Sequence, residues 1–309
     1  MAIDAAGLTD VGMRRDHNED ALCVNPEHSL FIVCDGMGGH AAGEVASQIA
    51  VETVEKFTQA TSRDEDITWP FEYDESLSLN ANRLRTAIRL ANQRVIAHIQ
   101  ERKECKGMGT TIACSLLDEQ RISLGHVGDS RIYLVRGDQL TQLTRDHSWI
   151  DEQLKQGILT PEEARKHPLR NVITRALGSR DDVLVDVADQ TLEPDDVVLL
   201  CSDGLTGMLE DPEILAIVRE YEYDLQTACR ELIAQANAKG GDDNITVILV
   251  KYTPGGPQQA SASTVSAGTV SAGAGSAGAG SAGTASAGTA SAGTGSEQAG
   301  DVAADTSSD

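Results

Sequence analysis

Aromatic side chains and positive charge are both scarce in this sequence. Only 3% of its 309 residues are aromatic while 40% are hydrophobic, so aliphatic residues and alanine must build the core. Lys and Arg number 25 against 48 Asp and Glu, which leaves a formal net charge of -23. Such an acidic surface repels nucleic acid and anionic lipid, so we expect neither a nucleic-acid partner nor a membrane partner. The acidic excess either serves solubility or includes carboxylates that bind cations.

Long apolar runs and paired cysteines are also missing. No run approaches the roughly 18 residues that a membrane helix needs. The start of the chain, Met1 to Gly7, lacks the basic and apolar parts of a signal peptide. The six cysteines form no Cys-x-x-Cys pair, and four of them lie in apolar runs. We therefore expect reduced core thiols in a cytoplasmic protein, rather than disulfides or a zinc site.

The composition changes sharply after Tyr252. A Pro- and Gly-rich stretch follows, and from Ser266 onward Ser-Ala-Gly recurs every five residues. Because this segment has almost no large apolar side chain to bury, we predict a folded domain over 1–252 and a disordered Ser/Ala/Gly/Thr-rich tail over 253–309. A linker or solubility role is the favoured interpretation of the tail, and a specific binding segment is the alternative.

Hydrophobic periodicity within the first 252 residues indicates a mixed fold. Helical spacing predicts helices over 43–57, 76–102 and 225–238. Strand-like runs lie near 21–25, 29–34, 110–117, 121–128, 131–136, 183–191, 196–201 and 245–252. Because strands and helices come in clusters, the pattern favours an α+β fold of two mainly antiparallel sheets with helices packed outside. The polar, turn-rich residues 145–181 are interpreted as a flap.

Acidic residues occur at the ends of five of these strand-like runs. Each stands beside Gly, Ser or Asn, in the segments Glu19-Asp20, Asp35-Gly36, Gly128-Asp129, Asp203-Gly204 and Asp242-Asp243-Asn244. Any one of them is an ordinary turn signal. Carboxylates brought together at strand ends would repel one another unless a cation lies among them. Oxygen ligands without a Cys or His cluster suit Mg²⁺ or Mn²⁺, and two such ions can polarise a water and a phosphoryl group.

Six motifs together resemble a known family. They are Arg15-x-x-Asn18-Glu19-Asp20, Asp35-Gly36-Met37-Gly38-Gly39-His40, Gly109-Thr110-Thr111, Gly128-Asp129-Ser130-Arg131, Ser202-Asp203-Gly204 and Asp243-Asn244-Ile245-Thr246. Over residues 4–252 the sequence resembles the metal-dependent protein phosphatases (type 2C, or PPM) in their compact bacterial form. The resemblance implies a central β-sandwich flanked by pairs of helices. It also implies hydrolysis of phosphoserine and phosphothreonine in proteins with Mn²⁺ or Mg²⁺.

The resemblance assigns a metal role to most of these acidic residues. It implies that Asp35 bridges two ions and that the carbonyl of Gly36 ligates one of them. Asp203 and Asp243 would hold one core ion, while Asp20 and Glu19 would act on the other, in part through ordered water. Asp129 and Asp203 match the pair that holds a weaker third ion in bacterial members of the family.

The resemblance also implies the course of the reaction. Arg15 would bind the substrate phosphate, for which its two-pronged guanidinium is suited. A metal-bridging hydroxide would attack phosphorus and the Ser or Thr alkoxide would leave, without a phosphoenzyme. Animal and plant members often carry a His as general acid directly after the first Asp-Gly, where this sequence has Met37. The proton donor is then either His40 or a metal-bound water.

Two further segments allow a functional and a structural interpretation. Asp146-His147-Ser148 recurs in the family, and we favour a cap for the following helix over catalysis. The flap carries six basic residues that either meet phosphopeptides or form a solvated surface: Arg165, Lys166, His167, Arg170, Arg175 and Arg180.

The favoured function is a monomeric phosphatase acting on phosphoproteins and opposing a Ser/Thr kinase. An inactive scaffold and a hydrolase of small phosphate esters are the alternatives. The scaffold is disfavoured because every metal-binding Asp of the family pattern is present.

Overall fold

Two β-sheets stacked face to face form the centre of the protein in a computed structural model. The structure describes residues 2–38, 42–62, 69–165, 167–254 and 261–264. These residues belong to one compact unit, Met1–Gly268. The α+β architecture predicted from the sequence is confirmed.

The first sheet has the strand order β12-β1-β11-β10-β7-β8. All its pairings are antiparallel except that of β12 with β1. Its strands are β1 (Ala2–Asp10), β7 (Arg131–Arg136), β8 (Gln139–Gln142), β10 (Val197–Cys201), β11 (Ile245–Thr253) and β12 (Ser261–Thr264).

The second sheet is antiparallel, with the order β2-β3-β5-β6-β9 and a two-residue strand, β4, beside β3. Its strands are β2 (Asp20–Asn25), β3 (Leu30–Met37), β4 (Gly109–Thr110), β5 (Ile112–Asp118), β6 (Arg121–Val127) and β9 (Asp186–Thr191). The prediction ended the strand before Asp35, but β3 continues through Asp35 and Gly36, because β4 pairs with its last two residues.

Helices cover the outer faces of both sheets. The helix α1 (Ala42–Ser62) packs on α2 (Leu79–Glu101), and α6 (Asp211–Glu220) packs on α7 (Leu225–Ala238). Three shorter helices are α3 (Trp149–Lys155), α4 (Pro161–Arg165) and α5 (Asp203–Thr206). None of the helices in the described residues is long and apolar enough to cross a membrane.

The strand β3 shows why the central strands are apolar on both faces. Phe31 and Val33 belong to the cluster between the two sheets, whereas Ile32 and Cys34 pack against α1 and α2. Successive side chains of a strand point to opposite faces, so a strand between a sheet and helices needs apolar residues at every position. This arrangement buries the strands while leaving their ends, and the polar groups there, at an edge of the sandwich.

The strand β1 was missed by the sequence analysis. Its residues, Ala-Ile-Asp-Ala-Ala-Gly-Leu-Thr-Asp, include several with low strand propensity. It forms because it pairs with β11 along its whole length, from Ala2 opposite Thr253 to Asp10 opposite Ile245. The helix α6 was also missed, although Pro212 in its first turn is a recognisable start signal. In the structure the Glu210 N–H also donates to the Glu213 carboxylate at this end.

The segment predicted as a disordered tail differs from the structure at its beginning. The strand β11 runs one residue past the predicted boundary, to Thr253, and Ser261–Thr264 forms β12 in parallel with β1. Residues 265–309 lie outside the described residues, so their disorder stays a prediction.

We expect the tail beyond β12 to be dispensable for folding. A chain ending at Thr264 should melt like the full chain, because every described core residue precedes it. A chain ending at Pro254 should still fold, with a melting temperature lower by about 2–4 °C, because β1 loses its outer neighbour. Thermal melts followed by circular dichroism would test this. Loss of a cooperative transition in the chain ending at Thr264 would contradict it.

Candidate metal centre

Antiparallel pairing brings the predicted acidic residues to one edge of the sandwich. The first residue of β2, Asp20, lies opposite Asp35 near the end of β3. In the other sheet, β10 ends just before Asp203 and its neighbour β11 begins just after Asp243. The turn from β6 to β7 crosses between the sheets and carries Asp129. Five carboxylates that are far apart in the sequence therefore form one strand-end cluster.

The carboxyl group of Asp35 lies at the centre of this cluster. Its pKa is raised well above the ordinary range, first by burial and then by the charges of Asp20, Asp203, Asp129 and Asp243. The other four carboxylates therefore lie close enough to Asp35 to repel its charge.

Thr110 and Thr111 hold the main chain of Asp35. The Asp35 N–H donates to the hydroxyl of Thr111 at 3.0 Å, and its carbonyl accepts from the Thr111 N–H at 2.9 Å and from the Thr110 hydroxyl at 2.9 Å. The Thr111 hydroxyl also lies 2.7 Å from the Ser130 hydroxyl, in the turn that carries Asp129. The Gly-Thr-Thr motif, to which the sequence analysis gave no role, therefore fixes Asp35 relative to Asp129.

Asp20 is held by hydroxyl groups through one of its oxygens only. Its Oδ2 accepts from Ser202 at 2.8 Å and from Thr246 at 2.6 Å, while Oδ1 is buried without a hydrogen-bond partner. Burial, with the charges of Asp203 and Asp243, raises the pKa of Asp20 to about 7, although both hydroxyls oppose the shift. One oxygen is thus anchored and the other is left available.

Asp129 and Asp203 also have a buried Oδ1 without a partner. Burial and the charge of Asp203 raise the pKa of Asp129 to about 7. Burial and the charge of Asp243 likewise raise the pKa of Asp203. Buried acceptors are almost always satisfied in native proteins, so three orphan oxygens in one acidic cluster fit a hard divalent cation.

Arg15 reaches the cluster from the turn that follows β1. Its Nη2 lies 2.6 Å from Oδ2 of Asp243, and its side chain is 48% exposed. The turn is held in place at Gly12, whose φ of +79° suits glycine and where an added Cβ would lie 2.1 Å from the Asp243 carbonyl oxygen. The guanidinium therefore lies where the cluster meets solvent.

The acidic side chains of the cluster are not gathered around a single point. In the described ranges, no three Asp, Glu, His or Cys side chains converge as a metal site. Asp20 keeps a free Oδ1, whereas Asp243 accepts from Arg15 through Oδ2 and from the Asn244 N–H through Oδ1, so coordination by Asp243 requires it to change partners.

Glu19 and Gly36 lie beside the cluster through main-chain contacts. The Glu19 carbonyl accepts from the Gly36 N–H at 3.1 Å and from the Ser47 hydroxyl at 2.7 Å, and the Glu19 N–H donates to Asn244 at 2.8 Å. A Cβ on Gly36 would lie 2.2 Å from the Gly43 carbonyl oxygen. Only glycine allows α1 to approach β3 this closely. His40 lies outside the described residues, so its part as proton donor stays a hypothesis.

The basic residues of the flap differ in their environments. Arg175 pairs with Asp186 at 2.7 Å, the ring of His167 lies against Trp149, and Arg170 and Arg180 are exposed. The side chain of Arg165 and all of Lys166 lie outside the described residues. A direct substrate contact is therefore a weaker expectation for Arg175 than for Arg170.

Comparison with known proteins gives one consistent family. A model of the protein phosphatase 2C family matches residues 13–248. The serine/threonine phosphatase Stp of Listeria welshimeri is 38% identical over 250 residues, which cover 79% of this chain and 93% of the Listeria protein.

Two solved structures share the fold. The serine/threonine phosphatase PstP/Ppp of Mycobacterium tuberculosis has a TM-score of 0.72 at 34% identity, over 82% of this chain and 100% of that one. The catalytic domain of PstP in complex with two manganese ions has a TM-score of 0.69 at 33% identity. The match covers 81% of this chain and 98% of that one.

The raised carboxylate pKa values predict that metal binding releases protons. The pKa of Asp20 and of Asp129 is raised from the ordinary 3.8 to about 7, so protonation of these groups stabilises the fold, and this contribution is lost as the pH rises through 7. A divalent ion requires the deprotonated groups. Titration calorimetry in buffers of different ionisation enthalpy should therefore show more protons released by Mn²⁺ at about pH 6.5 than at about pH 8.5. Equal release at both would refute this prediction.

Proposed function

Because this chain belongs to the protein phosphatase 2C family and is a metal-dependent serine/threonine protein phosphatase, we propose that its strand-end cluster holds two core Mn²⁺ or Mg²⁺ ions at the active site. The observation that carries this assignment is the set of buried carboxylates with three orphan oxygens. In this proposal the core ions are held by Asp20, Asp35, Asp203 and Asp243, with the Gly36 carbonyl as a further ligand and Glu19 acting through water.

The central position of Asp35 supports its role as the bridging ligand. Four other carboxylates raise its pKa, so it lies within reach of the whole cluster. Asp129 lies on the Asp203 side, since the charge of Asp203 is the largest contribution to its pKa shift after burial. This position suits a weaker third site shared by Asp129 and Asp203. When bound, the ions supply Lewis-acid chemistry, lowering the pKa of water and neutralising phosphoryl charge.

Arg15 binds the substrate phosphate in this assignment. Its partly exposed guanidinium is already paired with one anionic oxygen, on Asp243. A phosphate dianion offers the same planar fork two oxygens and a higher charge, so it competes well for the pair. Arg15 would thus exchange the Asp243 carboxylate for the substrate phosphate.

The departing Ser or Thr oxygen must receive a proton. Met37, which follows Asp35-Gly36, has none to give. His40 and a water of the site are the two candidate donors. A His40→Ala change that leaves kcat and its alkaline limb unaltered would assign the task to water.

The substrates are phosphoproteins, and we propose a Ser/Thr kinase as the opposing enzyme because a kinase product is what this site consumes. A cytoplasmic setting is supported by the six cysteines, all buried and free. A monomer is supported by the formal net charge of -23, because a charge far from zero disfavours self-association.

Replacement of Asp35 tests the assignment directly. Asp35→Asn removes the central charge, and loss of such preorganised electrostatics costs on the order of 3–4 kcal/mol of barrier or more, so turnover of a phosphothreonine peptide should fall to near background. Calorimetry should show weakened Mn²⁺ binding at the core sites. Full activity of Asp35→Asn, or turnover in excess chelator, would overturn the proposal.

Asp129→Ala is the control variant that is matched to Asp35→Asn. It removes a carboxylate of the cluster but none proposed for the core ions, so tight Mn²⁺ binding should survive while turnover falls. The loss should be larger for phosphopeptides than for a small aryl phosphate. Loss of the tight sites in this variant would contradict the division into two core ions and a weaker third.

Arg15→Lys keeps the charge but removes the fork. We expect KM for a phosphopeptide to rise about tenfold, equivalent to about 1.4 kcal/mol of lost binding, with a smaller effect on kcat. Steady-state kinetics on one phosphopeptide would measure it. Unchanged KM with a reduced kcat would assign Arg15 a different role.

A further inference from the structure

The turn that carries Asp129 is held by a single residue of the flap. The His147 N–H donates to the Gly128 carbonyl at 2.8 Å, and the Gly128 N–H donates to Nδ1 of the His147 ring at 3.0 Å. Both main-chain polar groups of Gly128 are therefore bound by His147. Gly128 directly precedes Asp129, so this double contact restrains the backbone from which the Asp129 carboxylate projects.

The contact with Gly128 determines which ring nitrogen of His147 carries the proton. A backbone N–H can only donate, so Nδ1 must be unprotonated and the hydrogen must be on Nε2. Nε2 lies 3.1 Å from Oδ2 of Asp186, which accepts its proton. Nη1 of Arg175 also lies 3.0 Å from Nε2, but in this tautomer it cannot donate to the ring and donates to Asp186 instead. The other oxygen of Asp186 is bound by Arg175 at 2.7 Å. The chain from Arg175 through Asp186 to His147 thus orients the ring toward Gly128.

The surroundings leave the ring and the turn little freedom. His147 is buried, and its ring lies against that of His126, with centroids 4.6 Å apart. Burial also lowers the pKa of His147, which favours the neutral ring that the contact with Gly128 requires. Gly128 has a φ of +115°, and an added Cβ would lie 2.6 Å from Cγ2 of Thr111. Packing on both sides therefore adds to the restraint from the hydrogen bonds.

The residues on either side of His147 have structural roles of their own, including the helix cap predicted for this segment. Ser148 caps α3 by accepting from the Asp151 N–H at 3.2 Å, and Asp146 pairs with Arg131 at 2.7 Å. Both nitrogens of the His147 ring are engaged, so neither is available to protonate a leaving group. What remains for His147 is to hold the Gly128–Asp129 turn.

We infer that His147 is a positioning residue that aims the Asp129 carboxylate into the strand-end cluster, with Asp186 and Arg175 fixing its tautomer. The inference rests on the proposed function, since it takes Asp129 as a ligand of the weaker third ion. Through Arg175 and Asp186 it also links the flap and β9 to the metal centre.

Two amide replacements separate this role from simple packing. In His147→Asn the amide oxygen can stand where Nδ1 stands and accept from Gly128. In His147→Gln the amide is one bond longer and reaches the place of Nε2 instead. We expect His147→Gln to lower phosphopeptide turnover about 10–100-fold and to weaken the weakest Mn²⁺ site, as loss of outer-sphere partners typically does. His147→Asn should recover most of both. Ser148→Ala, which removes only the cap of α3, should lower the melting temperature without this loss of turnover.

The hydrogen bond itself can be observed in the full chain by NMR. A scalar coupling between the Gly128 amide nitrogen and Nδ1 of His147, with the ring proton on Nε2, is the expected result. Exchange of the Gly128 amide should be at least about tenfold faster in His147→Gln than in His147→Asn. Absence of the coupling, a proton on Nδ1, or equal impairment of the two variants would overturn the inference.

The Asp129→Ala variant, titrated with Mn²⁺ in parallel, shows which proposal has failed. Normal Mn²⁺ binding and turnover in Asp129→Ala would refute the third site, and the inference with it, even if the coupling were present. Impaired Asp129→Ala together with a missing coupling would refute the inference about His147 alone.

Discussion

The burial of several carboxylates at one edge of the sandwich is the constraint on which the rest of the structure depends. Five Asp side chains meet there, and burial together with the charges of the other four raises the pKa of Asp35, at the centre of the cluster. Such a cluster persists only if the surrounding fold is stable without it. Here the two sheets and their covering helices supply that stability from apolar residues on both faces of the central strands.

Hydroxyl groups, rather than positive charges, hold the cluster together in the described structure. Asp20 is bound by Ser202 and Thr246, and the main chain of Asp35 is bound by Thr110 and Thr111. A hydroxyl can anchor one carboxylate oxygen without neutralising the group. The negative charge therefore stays available for cations, while a Lys or Arg in the same place would compete with them. Among the described residues, Arg15 is the cation bonded to the cluster, and its side chain is 48% exposed at the solvent side.

The flap is linked to the strand-end cluster by hydrogen bonds rather than by the charge of its surface. Its Arg175 was expected among residues that could meet phosphopeptides, yet it binds Asp186 beside His147. In the inference drawn above, a change in the flap would act on the Asp129 turn through these hydrogen bonds. Because packed contacts transmit small displacements, flap variants can alter turnover without touching the substrate.

The sequence alone determined the family and the α+β class, and it singled out the acidic residues that the fold brings to one edge, because motifs and periodicity are local patterns that can be recognised without coordinates. Only the tertiary structure decided that β1 is a strand, since its weak propensity is overridden by pairing with β11. The same holds for the partners of Asp20 and for the contact between His147 and Gly128. These join residues 182, 226 and 19 positions apart, and no local rule specifies which distant hydroxyl or ring a folded chain will bring within hydrogen-bond distance.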